Sequence, residues 1–137
     1  LLHIAELTAD ELDAAGVSTV GLLGTRYTME QAFYKRKLED RGITVLVPDE
    51  AERAFVNGVI FNELCLGTVS EVSRRAFAAI IAGLAERGAQ GVILGCTEIP
   101  LALTEPDLHG VPLLDATKVL ARALILAFAP DRLKQDS

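Results

Sequence analysis

The sequence predicts an α/β fold, a mainly parallel sheet with helices on both faces. Three observations predict it. Short apolar runs at 19–23, 43–47, 92–94 and 111–114 have the length of buried strands. The stretches between them open on helix-start signals and close on glycines. Strands that alternate with helices in this way are joined by right-handed crossovers, so neighbouring strands run parallel. With 137 residues, half of them hydrophobic, the chain fits one domain with a real core.

Each element follows from its own residues. Thr8-Ala9-Asp10-Glu11 has capping-box spacing and predicts a first helix over 9–15, closed by Gly16. Thr19 to Leu23 is the first strand, apolar enough to be buried on both sides. Thr28-Met29-Glu30-Gln31 is a second capping box, opening a helix that reaches Arg41 and stops at Gly42. Ile43 to Val47 is the second strand, broken by Pro48. Asp49 with Glu52 starts a helix to about Leu64, weakened by Gly58. Thr68-Val69-Ser70-Glu71 caps the next helix, in which Phe77, Ile80, Ile81 and Leu84 make an apolar stripe. Gly88 ends it before the strand at Val92 to Leu94. A polar loop, 104–110, leads to a strand over 111–114, and Asp115 caps an apolar last helix to about Ala129.

Composition excludes several classes of function. A charged fraction of 23% with this much apolar residue is not that of a disordered chain. Net charge −6 argues against a nucleic-acid surface. The five basic residues between Arg26 and Arg41 read as a solvated helix face. No apolar run reaches a membrane span and no signal segment opens the text, so neither membrane nor export is expected. Cys65 and Cys96 lack metal-ligand spacing, and two free thiols suit a cytoplasmic protein. His3 and His109 have no ligand partners at helical spacing, and no metal or cofactor is expected.

The chemistry concentrates at Gly91 to Leu103. A strand over Val92–Leu94, stopped by Gly95, places Cys96 and Thr97 on a turn ahead of a helix that Pro100 suits. Backbone N–H groups at such a helix start attract anions, and the same field lowers a thiol's pKa. Cys96 is therefore a candidate proton acceptor, against the plain alternative of a buried, inert cysteine. Thr25 leaves the first strand as Cys96 leaves the third. In parallel sheets ligands bind beyond the carboxyl ends, so both should face one crevice.

Gly95-Cys96-Thr97-Glu98-Ile99 resembles the second cysteine motif of the aspartate/glutamate racemases, which work without pyridoxal phosphate. Val20-Gly21-Leu22-Leu23-Gly24-Thr25, Val47-Pro48-Asp49-Glu50, Asn62-Glu63-Leu64-Cys65-Leu66-Gly67 and Pro112-Leu113-Leu114-Asp115 are similar to that family in its order. The resemblance implies one lobe of a two-lobed fold, 1–137, with 111–129 a docking strand and helix for an absent first lobe. It implies Cys96 as one of two catalytic thiols, the other lying in that lobe or in another copy of the chain. Thr97 and Thr25 become substrate-binding residues, each with a rival role as a cap or turn residue. Glu98 becomes a support for Cys96, against an exposed first-turn glutamate. Cys65 is not in the family's catalytic pair and reads as core or cleft-wall packing. The implied activity is racemisation of aspartate or glutamate, slight in the isolated chain, with a homo-oligomer among the outcomes. Related enzymes that racemise hydantoins, decarboxylate arylmalonates or isomerise maleate are alternatives, as is a module that binds a small carboxylate without turnover.

Overall fold

The computed structural model describes residues 4–30, 32–96, 98–101, 103, 107–108, 111–115 and 118. Its elements in chain order are α1 (Ile4–Ala15), β1 (Thr19–Leu23), α2 (Arg26–Glu30), α3 (Ala32–Glu39), β2 (Thr44–Leu46), α4 (Glu50–Asn62), α5 (Glu71–Glu86), β3 (Val92–Leu94), β4 (Asp107–Leu108) and β5 (Val111–Asp115). Short 3₁₀ turns occupy Leu64–Leu66 and Ile99–Leu101.

The sheet order is β2-β1-β3-β5-β4. β2, β1, β3 and β5 run parallel, with Leu23 opposite Leu94 and Leu94 opposite Asp115. β4 pairs antiparallel with β5 at the edge. Alternate residues of each strand serve opposite faces. Val20, Leu22, Val45 and Ile93 pack under α1 and α3 with Ala5, Ala9, Leu12 and Leu38. Leu23, Val92 and Leu94 pack under α4 and α5, where Phe77, Ile80, Ile81 and Leu84 are all buried. The expected α/β architecture and its apolar stripe are thus present, with helices on both faces.

Several boundaries differ from the sequence expectation. α1 is already helical at Ile4, so Thr8 is an interior position and fully buried rather than a cap. The Ala5, Ala9, Leu12 stripe extends upstream of Thr8 and carries the helix past it. The helix starting after β1 opens at Arg26, not Thr28, because the Thr25 hydroxyl takes the Thr28 N–H at 3.3 Å. That is N-cap geometry. The ends fall close to expectation, with Gly16 (φ 73) and Gly42 (φ 79) supplying left-handed turns that a side chain would strain. At α4 the Asp49–Glu52 capping box is complete. β4 lies within what reads as a loop; two residues carry no periodicity to detect.

Asp115 ends β5, and its Oδ1 accepts the Lys118 N–H at 3.4 Å, with Lys118 helical. The rest of the helix expected to Ala129 lies outside the described residues, as do Thr97, His3 and His109. No described helix is long and apolar enough to cross a membrane. The basic face reads as expected: Arg26 pairs with Glu30 and Glu50, Lys37 with Glu6, and Arg41 with Asp10 and Asp13.

Candidate active site

The candidate site stands at the carboxyl edge of the parallel strands. β1 and β3 are adjacent, and the ladder continues one residue past both, where the Gly95 N–H donates to the Leu23 carbonyl at 2.7 Å. Thr25 and Cys96 follow, so the two strand ends that carry them are neighbours in the sheet. The approach is close because both strands end in glycine. A Cβ built on Gly95 would lie 3.2 Å from the Leu23 carbonyl oxygen and 3.3 Å from Thr28 Cγ2. One built on Gly24 would lie 3.2 Å from Thr28 Cβ and 3.7 Å from the Gly95 carbonyl carbon.

Cys96 is half-buried against the larger core cluster. Its thiol donates a hydrogen bond to Glu98 Oε2 at 2.9 Å. Burial comes first and the Glu98 carboxylate second among the causes that push this thiol up from 9.0 to about 11. The expectation of a lowered pKa is therefore reversed. The element after Cys96 is a three-residue 3₁₀ turn, too short for an appreciable helix dipole, and the nearest charge is negative. Glu98 is partly buried beside the thiol, which sets aside the exposed first-turn alternative. Its carboxylate accepts the thiol hydrogen and adds to the upward push that burial gives Cys96.

Thr25 is a cap, the plain role the sequence allowed it. Its Oγ1 accepts from the Thr28 N–H and lies 3.1 Å from the Thr28 hydroxyl. Sequence reasoning missed Thr28 as part of the site; its signal was a hydroxyl residue three positions after a strand-end threonine. It also missed Asn57, whose Oδ1 takes the Arg26 N–H at 2.8 Å and ties the segment after β1 to α4. Arg53 adds a second tie, donating to Glu30 and to the Pro48 carbonyl. No signal in the sequence marks either partner.

Cys65 does not pack in the core, the first of the two places expected for it. The 3₁₀ turn directs Leu64 inward and leaves Cys65 and Leu66 exposed. Among the described residues no group of three His, Cys, Asp or Glu side chains could hold a metal.

The parallel sheet thus carries a thiol, a carboxylate and a threonine just beyond the ends of two adjacent strands. The chain belongs to the Asp/Glu/Hydantoin racemase family, whose sequence profile matches residues 1–124. It is similar to a candidate Asp/Glu racemase of Yersinia pestis, with 49% identity and a TM-score of 0.85 over 90% of this chain and 54% of that one. An aspartate racemase homologue from Pyrococcus horikoshii OT3 shares 37% identity, with a TM-score of 0.83 and the same coverage of both chains. The aspartate racemase of Picrophilus torridus shares 28% identity, with a TM-score of 0.70 over 92% of this chain and 52% of that one. The chain thus spans about half the length of the solved structures it matches.

Proposed function

We propose that this chain supplies the Cys96 half of a cofactor-independent racemase acting on aspartate or glutamate. The observation that carries the reading is the Cys96–Glu98 hydrogen bond at the strand end beside Thr25. Racemisation removes the α-proton from one face and returns one to the other. That proton is weakly acidic, so each face needs a group held close and away from water. Such a pair needs one member protonated and the other not at the start of a turnover. Cys96 suits the protonated role and delivers its hydrogen to the substrate carbon. Once it has done so, its thiolate faces the Glu98 carboxylate, and like-charge repulsion favours taking a proton back.

The abstracting thiolate comes from a first lobe or from another copy of the chain. Thr25 and Thr97 bind the substrate carboxylate, the latter by resemblance to the family motif. Free thiols at Cys65 and Cys96 support a cytoplasmic setting. The enzyme reading is tested by loss of optical rotation of L-aspartate and L-glutamate, using the chain joined to its partner lobe. Racemisation of one of them, abolished by Cys96→Ser, is expected; undiminished turnover in C96S would refute it. The isolated 137-residue chain should not racemise efficiently, because one thiol serves one face only. Robust turnover by it would mean that Cys65 or a second copy provides the other base.

A second reading follows from the same single, protonated thiol: on its own, the chain captures a small carboxylate without turnover. Binding of aspartate without loss of optical rotation, even beside the partner lobe, would favour it. The hydantoin branch of the family is distinguished by a hydantoin substrate in the same assay.

A further inference from the structure

We propose that the outward face of α4 is the meeting surface for a second copy of this chain, packed antiparallel about a twofold axis at Gly58. A helix on the surface of a domain carries one apolar stripe; α4 carries two. Val56, Val59 and Ile60 are buried in the larger core cluster. On the other side Ala51, Ala54 and Phe61 are exposed, and Phe55 keeps 39% of its surface in solvent. Leu66 follows in the 3₁₀ turn, exposed as well. No residue from Ala54 to Asn62 carries a formal charge, and the next, Glu63, is turned onto Ser70 and Ser73. Gly58 sits between the two phenylalanines, about 60° round the helix from each. Glycine weakens a helix interior, and the described residues give no packing reason for one here: a Cβ would meet just Asn62 Nδ2, at 3.8 Å. What a glycine there permits is close approach of another backbone from outside.

Shape, charge and area argue for a second copy as the occupant. In an antiparallel pair centred on Gly58, each residue faces the one equally far along on the other side of the axis. Phe55 then meets Phe61 of the second copy, and Ala54 meets Asn62, so the face is complementary to itself. A shallow furrow of about 270 Å³ runs beside Gly58, between Phe55, Asn62 and Glu63. A cavity of about 150 Å³ holds a benzene ring, so the furrow can take the Phe61 ring of the second copy. Copies with net charge −6 repel, and they meet at least cost where neither presents a formal charge. The face is about 20 Å long and about 10 Å wide. That falls short of the roughly 800 Å² that each partner buries in a stable complex, so the dimer is weak and depends on concentration. The absent lobe fits less well. Asn57 holds the Arg26 N–H and so marks the side of α4 towards the strand ends. Phe55 and Asn62 lie about 160° and about 140° round the helix from it, and the furrow opens away from a lobe seated over those ends.

The test is sedimentation of the 137-residue chain from about 5 to about 500 μM, where a weak dimer forms and dissociates. Wild type should pass from monomer towards dimer over this range. Phe61→Glu and Gly58→Gln should each raise the dissociation constant at least about tenfold. Gly58→Gln is the sharper variant, because it puts a good helix former at an open position. It should melt no lower than wild type while losing the dimer, which a role for Gly58 inside its own chain would not allow. Gly58→Cys, oxidised with copper–phenanthroline, should give a 58–58 disulfide as its principal crosslinked peptide, since the axis brings the two positions together. A wild type that stays monomeric throughout would overturn the inference. So would association that F61E and G58Q both leave unchanged, because the contact would then lie elsewhere on the chain. A dimer that gives no 58–58 crosslink would overturn the pairing about Gly58. The chain joined to its partner lobe should form the same dimer. A monomer there would also overturn the inference, and slowed exchange of amides 55–62 would then show that the lobe covers the face.

Discussion

Two turns of this protein each set a cysteine two residues from a glutamate, and they use the pair in opposite ways. At Glu63–Cys65 the carboxylate turns away from the thiol. It accepts the Ser70 N–H at 2.7 Å and the Ser73 hydroxyl at 2.6 Å, and so braces the start of α5. The Ser73 bond, then the Ser70 N–H, hold the Glu63 carboxyl below its ordinary 4.5. Cys65 is left exposed. At Cys96–Glu98 the carboxylate accepts from the thiol itself, in a half-buried setting, and keeps it protonated. The lesson is that a Cys/Glu spacing does not decide reactivity. The donors that compete for the carboxylate do.

The largest expected consequence is in labelling. At a pH well below both 9.0 and 11, Cys96 holds about a hundredfold less thiolate than an ordinary thiol. Iodoacetamide near neutral pH should therefore label Cys65 well ahead of Cys96, the reverse of what a helix-start thiolate would give. Preferential labelling of Cys96, read by peptide mapping, would break the contrast between the two turns.

A smaller effect separates their structural duties. Ser70 caps α5 by accepting the Ser73 N–H at 3.0 Å. Ser70→Ala should cost about 1 kcal/mol in urea unfolding, with the Cys96 labelling profile unmoved. A shifted profile would show that the turns are coupled.

The smallest effects lie on the two limbs of stability against pH. The Glu63 pKa is lowered, so the folded state binds its proton less readily than the unfolded state. Its contribution is present above about 4.5 and is lost as pH falls. Cys96 works in the other direction: its contribution is full below 9.0 and fades as pH rises towards 11. Glu63→Gln should therefore flatten the acid limb and leave the alkaline limb intact. Denaturant midpoints across pH would show it, and an unchanged acid limb would contradict the assignment.

How much of this was legible in sequence follows the same physics. Val92 to Leu94 is a strand because three branched apolar residues end at Gly95, and the observed bounds coincide with that run. The Phe77 stripe was legible for its periodicity. The start of α1 was not, since a buried Thr8 carries the same letters as a capping one. Convergence of Thr25 and Cys96 came from topology alone. The protonation of Cys96 was hidden, because it depends on which way the Glu98 carboxylate points and on a turn too short to act as a dipole. Cys65 was misplaced for a similar reason: a 3₁₀ turn rotates neighbouring residues to different sides, and Leu64 took the inward one.

The central claim is that burial and Glu98 together keep Cys96 a thiol at the strand end it shares with Thr25. It is tested most directly by the pH midpoint of Cys96 alkylation, followed peptide by peptide in wild type and Glu98→Gln. The midpoint should lie near 11 in wild type. It should fall by roughly one unit in E98Q, where burial remains and the charge is gone. A wild-type midpoint at or below 9.0, or one that E98Q leaves in place, would contradict the account.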